Sequence, residues 1–237
     1  MCIGTIILTG CTKDAPDPAM VERNSENAAE KIEAAMLSQP VFVTTKRYDP
    51  IVYNSAINSL HEEARSGASA EEMLGGLYTR IIALETKRIT TAPDEALIPF
   101  ERTIIAELRA LNVQDSDACF SWLYPSLGKR VQISSYISKS LIDDNHLALA
   151  RVIQSSIENP QPVPVLADVT SDLQLVQARL AKVYGDEAGI LDRVSGPNID
   201  KKAVCYMTGN LRSNILELPE VRAGKLLRYL YSKQLGR

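Results

Sequence analysis

Basic blocks, long apolar runs, histidines and catalytic signatures are all scarce in this chain. Its 26 basic and 29 acidic residues leave a net charge of -3 over 237 residues, with no basic cluster. Nucleic acid is therefore excluded as the expected partner, because binding phosphates needs a concentrated positive field. Beyond the amino-terminal segment no apolar stretch approaches the roughly 18 to 20 residues of a membrane span. The two histidines, His61 and His146, stand in no metal-ligand spacing. There is no G-x-S-x-G elbow, Walker loop, dinucleotide glycine fingerprint or paired C-x-x-C. No repeat of fixed period is present, which sets aside the helical-repeat families. Neither a cofactor nor a metal is expected.

What is present is helical patterning over a hydrophobic content of 45%, ordinary for a globular protein. Met20 to Gln39 are strong helix formers, closed by Pro40. Val41-Phe42-Val43-Thr44-Thr45 reads as a short extended segment. Asp49-Pro50 opens a helix with Tyr53, Ile57, Leu60 and Ala64 on one face, ended by Gly67. Ser69 and Glu72 form a capping box for the next, and Gly75-Gly76 within it permits close helix packing. Pro93 and Pro99 bracket the start of a helix marked by Ile104, Leu108 and Leu111. Ser116 is expected to cap a short helix carrying Cys119, Phe120 and Trp122. Ile133, Ile137 and Leu141 predict one helix, and Leu149, Ile153 and Ile157 another beginning near Asp144. Residues 159–166 form a proline-rich linker, followed by the stripe Leu173, Val176, Leu180 and Val183. Gly196-Pro197 is a break. Two strongly periodic helices close the chain: Val204, Met207, Leu211, Ile215 and Leu218, then Ala223, Leu226, Leu227 and Leu230 beyond Pro219. The expected fold is all-α, a multi-helix bundle with short connections and one extended segment near residues 41–45.

The amino terminus carries a different signal. Ile3-Gly4-Thr5-Ile6-Ile7-Leu8 leads into Leu8-Thr9-Gly10-Cys11, which resembles the lipobox of bacterial lipoproteins. The resemblance covers about the first dozen residues. It implies that residues 1–10 are a signal peptide and that Cys11 becomes the first mature residue, carrying diacylglycerol with palmitate-type chains. Residues 11–19 are then a polar, proline-containing tether, and residues 20–237 a single periplasmic domain. Thr12 after the cysteine implies, by the sorting pattern of enteric-type bacteria, the outer membrane. Nothing basic precedes Ile3, so the orienting charge is expected from codons upstream of Met1. The same β-branched run also suits a buried strand of a cytosolic domain.

With Cys2 removed and Cys11 lipidated, as the resemblance implies, Cys119 and Cys205 remain. In an oxidising periplasm they are expected to bridge, whereas in a cytosolic protein they would be buried thiols.

Candidate chemistry is sparse. His61-Glu62-Glu63 sets residues side by side rather than one helical turn apart, as a solvated helix face does. Asp143-Asp144-Asn145-His146 has acid-base potential but reads as a helix N-cap. No catalytic residue is assigned. Arg222, Lys225, Arg228, Tyr229 and Tyr231 decorate the last helix with residue types that anchor interfaces. The expectation is an outer-membrane-anchored lipoprotein binding an envelope or secreted protein, as an adaptor, inhibitor or immunity-type module. The alternatives are an envelope hydrolase with a site assembled from scattered residues, and a structural component of a secretion or surface apparatus.

Overall fold

A computed structural model describes residues 18–128, 131, 133–196 and 198–234. Within them lie ten α-helices and no strand. They are α1 Pro18–Met36, α2 Pro40–Tyr48, α3 Pro50–Arg65, α4 Ala70–Ile89, α5 Asp94–Gln114, α6 Ser116–Leu123, α7 Lys139–Glu158, α8 Leu166–Tyr184, α9 Lys201–Leu216 and α10 Glu220–Gln234. Ile133–Ser135 and Gly185–Arg193 are 3₁₀ segments. The all-α expectation holds, and none of the described helices is long and apolar enough to cross a membrane.

The extended segment at 41–45 is a helix instead. Pro40 does not close α1 but opens α2 from its first turn, where its missing N–H costs nothing. Val41, Phe42 and Thr45 are buried, and α2 packs along α7. Strand preference amounts to only a few tenths of a kcal/mol per β-branched residue in a helix. Burying a Phe side chain is worth about 1.5 to 3 kcal/mol, so packing wins.

Local signals fare unevenly. Ser69 and Glu72 cap α4 reciprocally, the Ser69 N–H donating to Glu72 Oε2 at 2.8 Å and the Glu72 N–H to Ser69 Oγ at 3.3 Å. Gly67 adopts φ +81° just past α3, the left-handed stop that glycine tolerates. Asp115, not Ser116, caps α6. The two helices expected around residues 133–157 are one: α7 starts behind the Ser138 cap and runs through Asp143 to His146 without a break. Ile133 lies outside it, in the 3₁₀ turn.

Two elements serve both parts of the interior: α9, through Met207 and Ile215 in one and Val204 and Cys205 in the other, and α5. The first half of α5 joins α1 to α4, α7, α8 and α10 in the main core, through Leu97, Ile98 and Phe100. Its second half supplies Leu108 and Leu111 to a smaller cluster with Cys119, Phe120, Ile137, Val204 and Cys205. The residues of the 159–166 linker lie between α7 and α8, and the Gln161 N–H donates to Thr91 O at 2.8 Å. Val152 and Ile153 before it and Val169 and Val176 after it belong to the same core, so the linker separates no domains.

Candidate functional site

Buried polar residues occur on most of the helices, and one linked group of them lies where α5, α9 and α10 meet. Along α5 the sequence Leu97, Glu101, Ile104, Leu108, Leu111 advances by alternate steps of four and three, the spacing of one buried face. Glu101 occupies a core position of that stripe and is fully buried. It is met there by Arg212 from α9, whose Nη1 donates to Glu101 Oε1 at 2.6 Å and to the Tyr231 hydroxyl oxygen at 3.0 Å. Tyr231 on α10 closes the triangle by donating to Glu101 Oε2 at 2.8 Å. A buried carboxylate without a cation would be costly, and this one has a cation and a second donor. Burial by itself would lower the affinity of Arg212 for its proton, but the Glu101 carboxylate and Tyr231 outweigh it and hold the guanidinium charged. Burial raises the Tyr231 phenol well above its ordinary range; Arg212 opposes this and Glu101 reinforces it.

Two of the three, Arg212 and Tyr231, line a cavity of about 220 Å³ between α9, α10, the 3₁₀ segment at 185–193 and the end of α6, with Glu101 buried behind them. The cavity's apolar lining is Leu191, Leu211, Ile215, Leu227 and Leu230, and its polar lining is Tyr124, Thr208, Arg212, Tyr231 and Lys233. Lys233 is exposed, with its ammonium 5.0 Å from the Tyr229 ring centroid. The Cys119–Cys205 pair lies one helical turn from Thr208, joining α6 to α9 as a disulfide with the Cα atoms 6.2 Å apart.

The residues expected to form an outward face on α10 separate into two groups. Arg228, Tyr229 and Tyr231 are buried, and this corrects their expected place at a surface. The reason is that α10 is packed by α4, α5, α8 and α9, leaving little of it to solvent. Arg228 donates through Nη1 to Ala92 O at 3.0 Å and to Asp94 Oδ1 at 2.5 Å, tying α10 to the start of α5. Gly224 makes room for that contact: a Cβ there would overlap the Asp94 carboxylate. Arg222 and Lys225 are exposed, Arg222 pairing with the buried Asp172 of α8. That pairing raises the pKa of Arg222 through its hydrogen bonds and charge contact with Asp172.

The histidine-bearing segments are not brought together into one site. His61 faces Glu33 at 3.7 Å, and the same carboxylate accepts from the Tyr53 hydroxyl at 3.0 Å. Asp143 does not cap a helix; it pairs with Lys139 one turn earlier at 2.6 Å. His146 is half-buried, and burial chiefly lowers its pKa. Asn145 beside it is buried and donates to Thr103 Oγ1 at 3.1 Å and to Glu107 Oε2 at 3.2 Å. Glu107 has no cationic partner among the described residues, and burial pushes its carboxyl up to about 8. Gly76 lets the Glu63–Arg80 ion pair, at 2.7 Å, cross the α3–α4 contact where a Cβ would meet Glu63. No group of His, Cys, Asp and Glu among the described residues is arranged to hold a metal. Cys11 and the whole of residues 1–17, with the signal and most of the tether, lie outside the described residues, as does Pro197.

Sequence reasoning missed the Glu101–Arg212–Tyr231 triad because its members are separated by 111 and 130 residues along the chain. The one available signal was an acid in phase with the apolar stripe of α5. In comparisons with known proteins the chain matches no family model, no curated sequence and no solved structure.

Proposed function

We propose that this is an outer-membrane lipoprotein, anchored through lipid on Cys11, whose periplasmic helical domain docks to another envelope or secreted protein. It acts there as an adaptor, an inhibitor or an immunity-type module. The observation that carries the reading is the Cys119–Cys205 disulfide. Such bridges persist in oxidising compartments, which is where the Leu8-Thr9-Gly10-Cys11 resemblance sends the chain. Docking is further supported by how the charged groups are used. Asp143 is held by Lys139 within α7, Glu33 of α1 lies against His61 and Tyr53 of α3, and Asp172 of α8 is held by Arg222 of α10. On α10 the docking face comprises Val221, Arg222 and Lys225, all exposed, with Val221 and Arg222 each about one turn before Lys225.

The test is expression of the gene with its upstream region in a bacterial host. The mature protein is expected to begin at a diacylated Cys11 and to fractionate with the outer membrane, and Cys11→Ser is expected to leave the membrane fraction. An intact Met1, or membrane partition unchanged in Cys11→Ser, overturns the address. For the docking face, a photo-crosslinker at position 225 is expected to trap one partner. Lys225→Glu should then weaken titration with that purified partner by about tenfold, about 1.4 kcal/mol. Unchanged affinity removes α10 from the interface.

A further inference from the structure

We propose that the cavity between α9 and α10 is a binding site for a small organic monocarboxylate with an apolar body, held by Arg212. The inference concerns other residues than the docking face and does not depend on it. Arg212 is only half used by its neighbours. Its Nη1 serves both Glu101 and Tyr231, whereas its Nε and Nη2 have no hydrogen-bond partner among the described residues. Those two nitrogens form one edge of the guanidinium, with parallel N–H bonds at the spacing of two carboxylate oxygens. The side chain retains 15% of its exposure and lines the cavity, and neither Nε nor Nη2 is among the enclosed, unpartnered polar atoms, so the edge is open to solvent.

The rest of the wall specifies the remainder of the ligand. Leu191, Leu211, Ile215, Leu227 and Leu230 offer an apolar bed, and binding sites typically combine such a bed with a few convergent polar groups. Lys233 adds a second cation at the lining. This matters because Glu101 already balances the charge of Arg212; a carboxylate entering beside that pair needs a further positive charge. The volume of about 220 Å³ is below the roughly 300 to 1,000 Å³ of sites for drug-sized molecules, so the ligand is a single ring or a short chain. Glu101 and Tyr231 are positioning residues: they fix the guanidinium so that its free edge is presented without loss of side-chain entropy on binding.

The full-length protein, titrated by calorimetry and by NMR with octanoate and with benzoate, is expected to bind one equivalent saturably at submillimolar to millimolar concentration. Octanol and benzyl alcohol, which lack the carboxylate, should bind at least about tenfold more weakly, and inorganic phosphate should not compete. Leu191→Trp fills the apolar bed without touching the triad and should weaken octanoate by about tenfold or more. Lys233→Gln, at an exposed position, should weaken octanoate severalfold while leaving octanol unchanged. Failure of both acids to saturate overturns the proposal. So does equal affinity for the alcohols, competition by phosphate alone, or octanoate binding indifferent to Leu191→Trp and Lys233→Gln.

Discussion

Replacing Glu107 with Gln should stabilise the protein at neutral pH and leave it unchanged near pH 4. Glu107 is buried at the α5–α7 contact, where Asn145 donates to its Oε2 at 3.2 Å. Burial pushes its carboxyl from 4.5 to about 8. The unfolded chain therefore releases this proton above pH 4.5 while the folded protein keeps it up to about pH 8. In that window the folded state binds more protons, so its stability falls as pH rises and levels off above about pH 8. At about 1.4 kcal/mol per tenfold difference in proton affinity, the loss at pH 7 is on the order of 3 kcal/mol. Gln reproduces the protonated acid, keeps an acceptor for Asn145, and does not titrate. Urea denaturation of Glu107→Gln and wild type, compared between pH 4 and pH 8, isolates the effect from the carboxylates common to both. The difference should grow from near zero to about 3 kcal/mol at pH 7, equivalent to roughly 6 to 12 °C in Tm for a domain of this size. A difference independent of pH, or a variant less stable at pH 7, would refute the reasoning and mean that a cation neutralises Glu107.

Three other contacts give four further outcomes. Glu101→Leu leaves the Arg212 guanidinium buried and unpaired and should cost about 3 to 5 kcal/mol by chemical denaturation, whereas Tyr231→Phe, which keeps the ion pair, should cost about 1 to 2 kcal/mol. Gly224→Ala forces a methyl into the Asp94 carboxylate and loosens Arg228; a loss of about 1 to 3 kcal/mol is expected, and a neutral result would show that α5 and α10 separate freely there. Reduction of Cys119–Cys205, whose partners are 86 residues apart, should lower stability by about 4 to 5 kcal/mol in the chain-entropy model, read as the shift in urea midpoint with and without reductant.

Helix content and most stripes were legible in the sequence because each is a local periodicity. The stripes of α9 and α10 place Val204, Met207, Ile215, Leu226 and Leu227 in the interior, as their spacing requires. Local reasoning failed where tertiary packing overrides it. Val41-Phe42-Val43 has strand-like side chains but is held as helix against α7. Arg228, Tyr229 and Tyr231 stand beside the apolar stripe of α10, and a stripe argument assumes that only one face of a helix is covered. Here neighbours cover several. Asp143-Asp144-Asn145-His146 resembles a helix start because it is polar, yet α7 passes through it, with Asn145 buried against α5 and Asp143 exposed. The triad and its cavity were illegible for another reason: no local rule pairs an acid on α5 with a cation on α9.

The disulfide also determines what becomes of a cut chain. Cys119 and Cys205 close a covalent ring that contains α7, α8 and the exposed residues Asn159, Pro160, Pro162 and Val163. That stretch is the natural target of a protease, being exposed and outside any helix. A single cleavage there opens the ring but separates nothing, since the pieces before and after the cut remain joined through sulfur. α9 and α10, with Arg212 and Tyr231, thus stay covalently attached to α5 and its Glu101. A molecule nicked there keeps its two pieces attached, and only cleavage combined with reduction divides them.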